Sequence, residues 1–132
     1  MACKQTGITG IICSEAGQEV TKMGNIIVWL IIMVPCSALF TGIGIYAWKR
    51  KKPMWFWSGS TVDEKEISDV PAYNRANGIM WIVFSLFMWL CTVLGVFRIK
   101  IAGILLVVGV IPMCIGLVIA YNRIYEKYRT KK

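Results

Sequence analysis

Three long runs without one charged side chain decide what this chain can become: residues 24–48, 76–97 and 101–121. At a rise of ~1.5 Å per residue, each is long enough as a helix to cross a ~30 Å hydrocarbon core. A soluble domain of 132 residues could not hide so much apolar surface. Apolar side chains make up 57% of the sequence, and the mean hydropathy is +0.61, well above an ordinary soluble domain. The sequence therefore predicts an all-α integral membrane protein: three transmembrane helices, with a cytosolic loop that carries a short helix.

The length fits one membrane domain and is too short for two. Its expected parts are a polar N-terminal tail (1–23), the three spans, a loop (49–75) and a basic tail (122–132). Residues 1–22 lack the basic and apolar regions of a signal peptide. Pro35 removes a backbone donor in the middle of the first run and predicts a kink. Ser37, Gly42 and Gly44 beyond it, and Gly78, Ser85 and Thr92 at intervals of seven, are small enough for close helix packing. Trp81, Phe84, Phe87 and Trp89 fall largely on other faces and are expected to meet lipid or a partner. Tyr46 and Trp48 stand where an aromatic belt would. The short connection at Arg98 and Lys100 forces the second and third runs into an antiparallel hairpin.

Charge sets the orientation. Eleven of the fifteen Lys and Arg residues lie in the first loop or the C-terminal tail. The positive-inside rule then places the N-terminus outside and the C-terminus in the cytosol of a cell-membrane protein. A net charge of +8 raises the question of nucleic acid. These cations flank apolar runs and form no basic face of a folded domain, so anionic headgroups are the expected partner and nucleic acid is not.

Catalytic chemistry finds little purchase. There is no His anywhere, and the five cysteines form no CxxC pair, so zinc sites of the usual spacing are absent. Cys3 and Cys13 are expected to be free thiols in a loose tail, although an oxidising compartment would let them pair. The spans carry no Asp, Glu, Lys or Arg, which argues against a proton-coupled pump. No catalytic residue, metal or cofactor is expected.

Specific residues concentrate between 49 and 78. Lys49, Arg50, Lys51 and Lys52 form a stop-transfer flank that also suits anionic lipid, each cation near the surface contributing ~1 kcal/mol. Trp55, Phe56 and Trp57 follow and are expected to return to the headgroup layer as an anchor. Ser58 and Gly59 make a turn. Thr61 and Glu64 match a capping box for a short helix through Ile67. Asp63, Glu64, Glu66 and Asp69 read as solvated helix surface rather than a metal site, because this spacing does not make their oxygens converge. Asp69 is a candidate N-cap with Pro71 in the first turn of a helix that continues into the second run. On that helix Tyr73 and Asn77 share a face, and amides entering the membrane at Asn74 and Asn77 need partners.

The stretch with an aromatic–Ser-Gly turn, a short acidic helix, Tyr73-Asn74-Arg75-Ala76-Asn77-Gly78 and Trp81 resembles the linker of SdpI-type bacterial immunity membrane proteins. The matching positions are Ser58, Gly59, Asp69, Tyr73, Asn74, Ala76 and Asn77. No Arg-Thr follows the turn glycine here, and those proteins commonly have more spans. The chain is also similar to small three-span membrane proteins of Gram-positive bacteria that carry no assigned function. The density of aromatic and amide residues in the loop, beside spans free of charge, points to an interaction or regulatory protein, immunity-like as in the family it resembles, that acts through its cytosolic aromatic loop. The partner would be another membrane protein or a second copy in a homo-oligomer. An oligomeric channel or small-solute transporter is the alternative.

Overall fold

The computed structural model describes residues 7–55 and 62–130. Two long helices account for nearly all of it: α1, Ile8–Lys49, and α2, Val70–Tyr128, with a three-residue 3-10 helix, Glu64–Glu66, between them. Each long helix is apolar and long enough to cross a membrane. The expectation of three separate spans is corrected here, because the chain has two long helices.

The difference lies at residues 98–100, read from the sequence as a connecting turn. They belong to α2, where only Arg98 leaves helical backbone values (φ −143°, ψ 73°). Losing one residue's helical conformation is enough to redirect the chain without ending the element. The redirection is complete. The hydroxyls of Tyr73 and Tyr121 lie 3.1 Å apart, whereas a straight helix would separate them by ~70 Å. α2 is thus folded back on itself at Arg98.

α1 also differs from expectation at its start. Residues 8–23, read as a polar tail, form its first turns. No proline interrupts them, and Glu, Gln, Ala and Lys are good helix formers. Pro35 and Pro112 both lie inside continuous helices. The Thr61-to-Ile67 helix is reduced to the 3-10 helix, whose N-cap Asp63 makes no side-chain capping bond. Thr61 lies outside the described residues. Asp69 caps α2 as its sequence position predicts, its Oδ1 accepting from the Ala72 amide at 3.1 Å.

α1 and the first limb of α2 run antiparallel and touch backbone to backbone where two glycines meet. A Cβ on Gly78 would stand 2.8 Å from the Gly44 carbonyl oxygen, and one on Gly44 would stand 2.7 Å from the Ile82 side chain. The stripe of small residues is buried: Gly78, Ser85 and Thr92 on α2 face Ser37 and Gly44 on α1. Polar side chains cross this seam. Ser37 and Thr92 hydroxyls pair at 3.1 Å, Trp29 Nε1 donates to the Thr92 carbonyl at 3.3 Å, and Trp89 Nε1 donates to Thr41 Oγ1 at 3.1 Å.

Met33, Phe84, Met88 and Cys91 form the apolar core, flanked by Trp29, Phe40 and Phe87. The aromatic residues of α2 are therefore not simply lipid-facing. Phe84 is buried with its ring edge-on to Phe40 at 4.8 Å, Trp81 stacks on Phe40 at 5.9 Å, and Phe87 fills the space over Gly109. Phe40 on α1 supplies the complementary surface that period alone does not reveal. The outer faces carry Ile31, Leu39, Ile104, Val107 and Ile111, all exposed.

Candidate membrane-surface site

The loop residues gather at one end of the helix pair, and the device that holds them there is Asn74. α1 ends at Lys49, and Arg50 turns the chain into extended conformation (φ −72°, ψ 139°). The last carbonyls of a helix need outside partners. Asn74, fully buried, supplies one at the C-cap and another just past it: its Nδ2 donates to the Arg50 carbonyl at 2.9 Å and to the Lys52 carbonyl at 2.8 Å. Its Oδ1 accepts from the Met54 amide at 2.9 Å. One side-chain amide thus fixes residues 50–54 against the start of α2.

Tyr73 reinforces the brace. Its hydroxyl lies 3.2 Å from the Met54 carbonyl and 3.1 Å from the Tyr121 hydroxyl. A carbonyl can only accept, so the Tyr73 proton goes to Met54 and Tyr121 donates to Tyr73. This ties the loop to the second limb of α2. Asn77 turns inward, its Nδ2 donating to the Tyr73 carbonyl at 3.1 Å, while its buried Oδ1 has no hydrogen-bond partner. Tyr73, Asn74 and Asn77 are structural members of the fold, and their side chains are closed to a ligand.

The second limb of α2 closes the same end. Ile67 and Arg129 form an antiparallel bridge. The Ser68 amide donates to the Tyr128 carbonyl at 2.8 Å, and the Thr130 amide donates to the Glu66 carbonyl at 2.7 Å. Tyr125 donates to a Glu66 carboxylate oxygen at 3.3 Å, and Tyr121 and Tyr125 stack at 6.4 Å. The sequence reading missed this clasp. Its only signal in the sequence is the spacing of Tyr121, Tyr125 and Tyr128, which places them along one helix.

What stays open is the cationic and aromatic surface. Lys49, Lys51 and Lys52 are exposed. Arg50 is half-buried, its guanidinium 5.6 Å from the Tyr46 ring centroid and 5.2 Å from that of Trp55, within range of cation–π attraction. Arg75 covers Trp48 in the same way at 5.3 Å. Trp55 is 45% exposed. Phe56, Trp57, Ser58 and Gly59 lie outside the described residues.

Between the two strands of loop lies a recess of about 480 Å³, lined by Arg50, Lys52, Pro53, Trp55, Val62, Asp63, Glu64 and Lys65. Among the described residues, no three His, Cys, Asp or Glu side chains converge as a metal site would require.

At the opposite end, the early turns of α1 meet the fold in α2: Cys13, Gln18, Lys22 and Asn25 lie beside Ile99 and Lys100. Cys13 is in a disulfide, which corrects the expectation of a free thiol there, while Cys36, Cys91 and Cys114 are free. Cys3 lies outside the described residues.

No family model, no curated protein and no solved structure matches the chain.

Proposed function

We propose that this is a small integral membrane protein that works by contact, regulatory or immunity-like, through the surface that Asn74 braces. The bilayer's anionic headgroups and a second membrane protein, or another copy of this chain, are its partners. The observation that carries this reading is the division of labour within residues 49–77. Asn74 and Tyr73 are committed to holding the loop, which leaves Trp55 and the lysines outward on a fixed backbone. A loop that served only to connect two helices would not need three hydrogen bonds from one buried side chain.

The end bearing Cys13 and Arg98 lies outside, and the end bearing residues 49–69 and the C-terminal residues lies in the cytosol. Two independent features support this orientation: the excess of Lys and Arg at the braced end and the disulfide at the other, which persists in an oxidising compartment.

A photo-crosslinking amino acid at position 55, introduced in cells, tests the reading. It is expected to give adducts to a membrane protein or lipid that weaken when Asn74→Ala releases the loop. The same probe at Ile111, on the outer apolar face, should be indifferent to Asn74. Absence of adducts at 55, or adducts unaffected by the Asn74 change, contradicts the reading.

A further inference from the structure

Both signs of charge line the recess at the braced end. Arg50 and Lys52 come with Trp55 from the segment that leaves α1; Asp63, Glu64 and Lys65 come from the segment that leads into α2. No ion pair joins these five side chains to one another. Opposite charges that line one recess without pairing leave both signs for a ligand that brings its own two. The volume, about 480 Å³, lies within the range of small-ligand pockets, ~300–1,000 Å³.

Position narrows the ligand. Arg50 follows directly on the apolar helix α1 and reaches over Tyr46, which is 58% exposed on the outer face. Its guanidinium therefore stands at the level where an aromatic belt meets headgroups. Guanidinium groups match phosphate geometry with paired N–H donors, and Lys52 adds a second cation. A purely anionic headgroup would meet repulsion from Asp63 and Glu64. A headgroup that carries a primary amine beyond its phosphate would place N–H donors against those carboxylates.

We infer that the recess between Arg50–Trp55 and Val62–Lys65 is a binding site for a zwitterionic phospholipid headgroup with a primary amine, the phosphate on Arg50 and Lys52 and the ammonium on Asp63 and Glu64. This rests on the membrane reading above and deepens it, because the surface layer becomes a specific ligand as well as a solvent. Trp55 covers the side of the site and holds Arg50 in place through its ring face. Lys65 offsets one of the two acids, so the described lining, with three cations and two carboxylates, keeps one net positive charge for the phosphate.

The test uses the full chain in detergent with added lipid, read by native mass spectrometry, against three phospholipids of equal chain length. Their headgroups are ethanolamine, choline and glycerol. Ethanolamine is expected to bind about tenfold more tightly than either, the scale of one charge-assisted hydrogen bond pair. The D63N/E64Q double variant should lose that preference by gaining affinity for the glycerol headgroup. R50Q should weaken all three, and K52Q, which leaves the Arg50 stacking intact, should do the same to a smaller degree. Equal binding of the three lipids by the native chain overturns the inference, as does a preference that survives D63N/E64Q. Free phosphoethanolamine that displaces the lipid at matched concentration also overturns it, because the source would then be a soluble compound. Carbonate extraction of cell membranes separates the two levels. Protein that stays in the pellet while showing no headgroup preference fails this inference alone, and protein released to the supernatant fails the membrane reading itself.

Discussion

Asn74 donates to the carbonyl of Arg50 at 2.9 Å across 24 residues of sequence, so a side chain at the start of α2 completes the end of α1. The same amide reaches Lys52 and Met54. Three backbone groups of the loop depend on one residue.

Asn74→Ala leaves those groups without partners in a part-buried place, and each buried unsatisfied group costs ~1–3 kcal/mol. Loss of about 2 kcal/mol or more is expected in thermal unfolding followed by circular dichroism in detergent. Asn74→Asp keeps the acceptor for Met54 and loses the two donors, so it should fall between Ala and the native residue.

The close approach of Gly44 and Gly78 predicts intolerance to size at either position. Gly78→Val should cost ~1–3 kcal/mol, because the Gly44 carbonyl and the Trp48 backbone cannot both retreat. Gly116→Ala is the control: nothing stands within 4 Å of a Cβ there, and stability should be unchanged or slightly higher.

Ser37 and Thr92 provide a milder case. Their hydroxyls meet at 3.1 Å within the seam, and interhelical hydrogen bonds in membranes average ~0.6 kcal/mol in double-mutant cycles. A Ser37→Ala, Thr92→Val cycle should return a coupling of about that size. The single changes will cost more where Thr92 also serves the Met88 carbonyl.

Much of this seam was legible beforehand. Intervals of seven put Gly78, Ser85 and Thr92 on one face of a helix, and small side chains on a face are useful mainly where another backbone approaches. The Asp69 cap was equally legible, since Asp before Val-Pro satisfies a local rule. What escaped the sequence was long-range. Nothing local shows that Asn74 reaches back to residues 50–54, that residues 128–130 clasp 65–68, or that Phe84 finds Phe40. The start of α1 escaped for the opposite reason. Residues 8–22 look polar because their apolar side chains, Ile8, Ile11, Ile12 and Val20, are broken up by Thr, Gly and Ser and, from Glu15 on, by charge, yet their helix propensity is adequate. Arg98 and Lys100 between two apolar runs look like a loop, whereas only Arg98 departs from helical geometry and α2 runs on through it.

The disulfide makes a chemical prediction. In intact cells, a membrane-impermeant maleimide should not label Cys13 until a reductant is added, and should then label it from outside. Labelling of Cys13 without reductant contradicts the disulfide. Labelling only after the membrane is broken contradicts the orientation.

The central claim is that the helices sit in a bilayer with the braced loop at its surface. Nitroxide spin labels at positions 111 and 55, introduced singly as cysteines in a background lacking Cys36, Cys91 and Cys114, test it directly in vesicles. Ile111 is 63% exposed and Trp55 is 45% exposed, so burial inside the protein will not mask either label. The account predicts that the label at 111 is relaxed by oxygen and shielded from a water-soluble nickel complex, while the label at 55 reports headgroup depth with access to both. Equal, high access of nickel to both labels would contradict it.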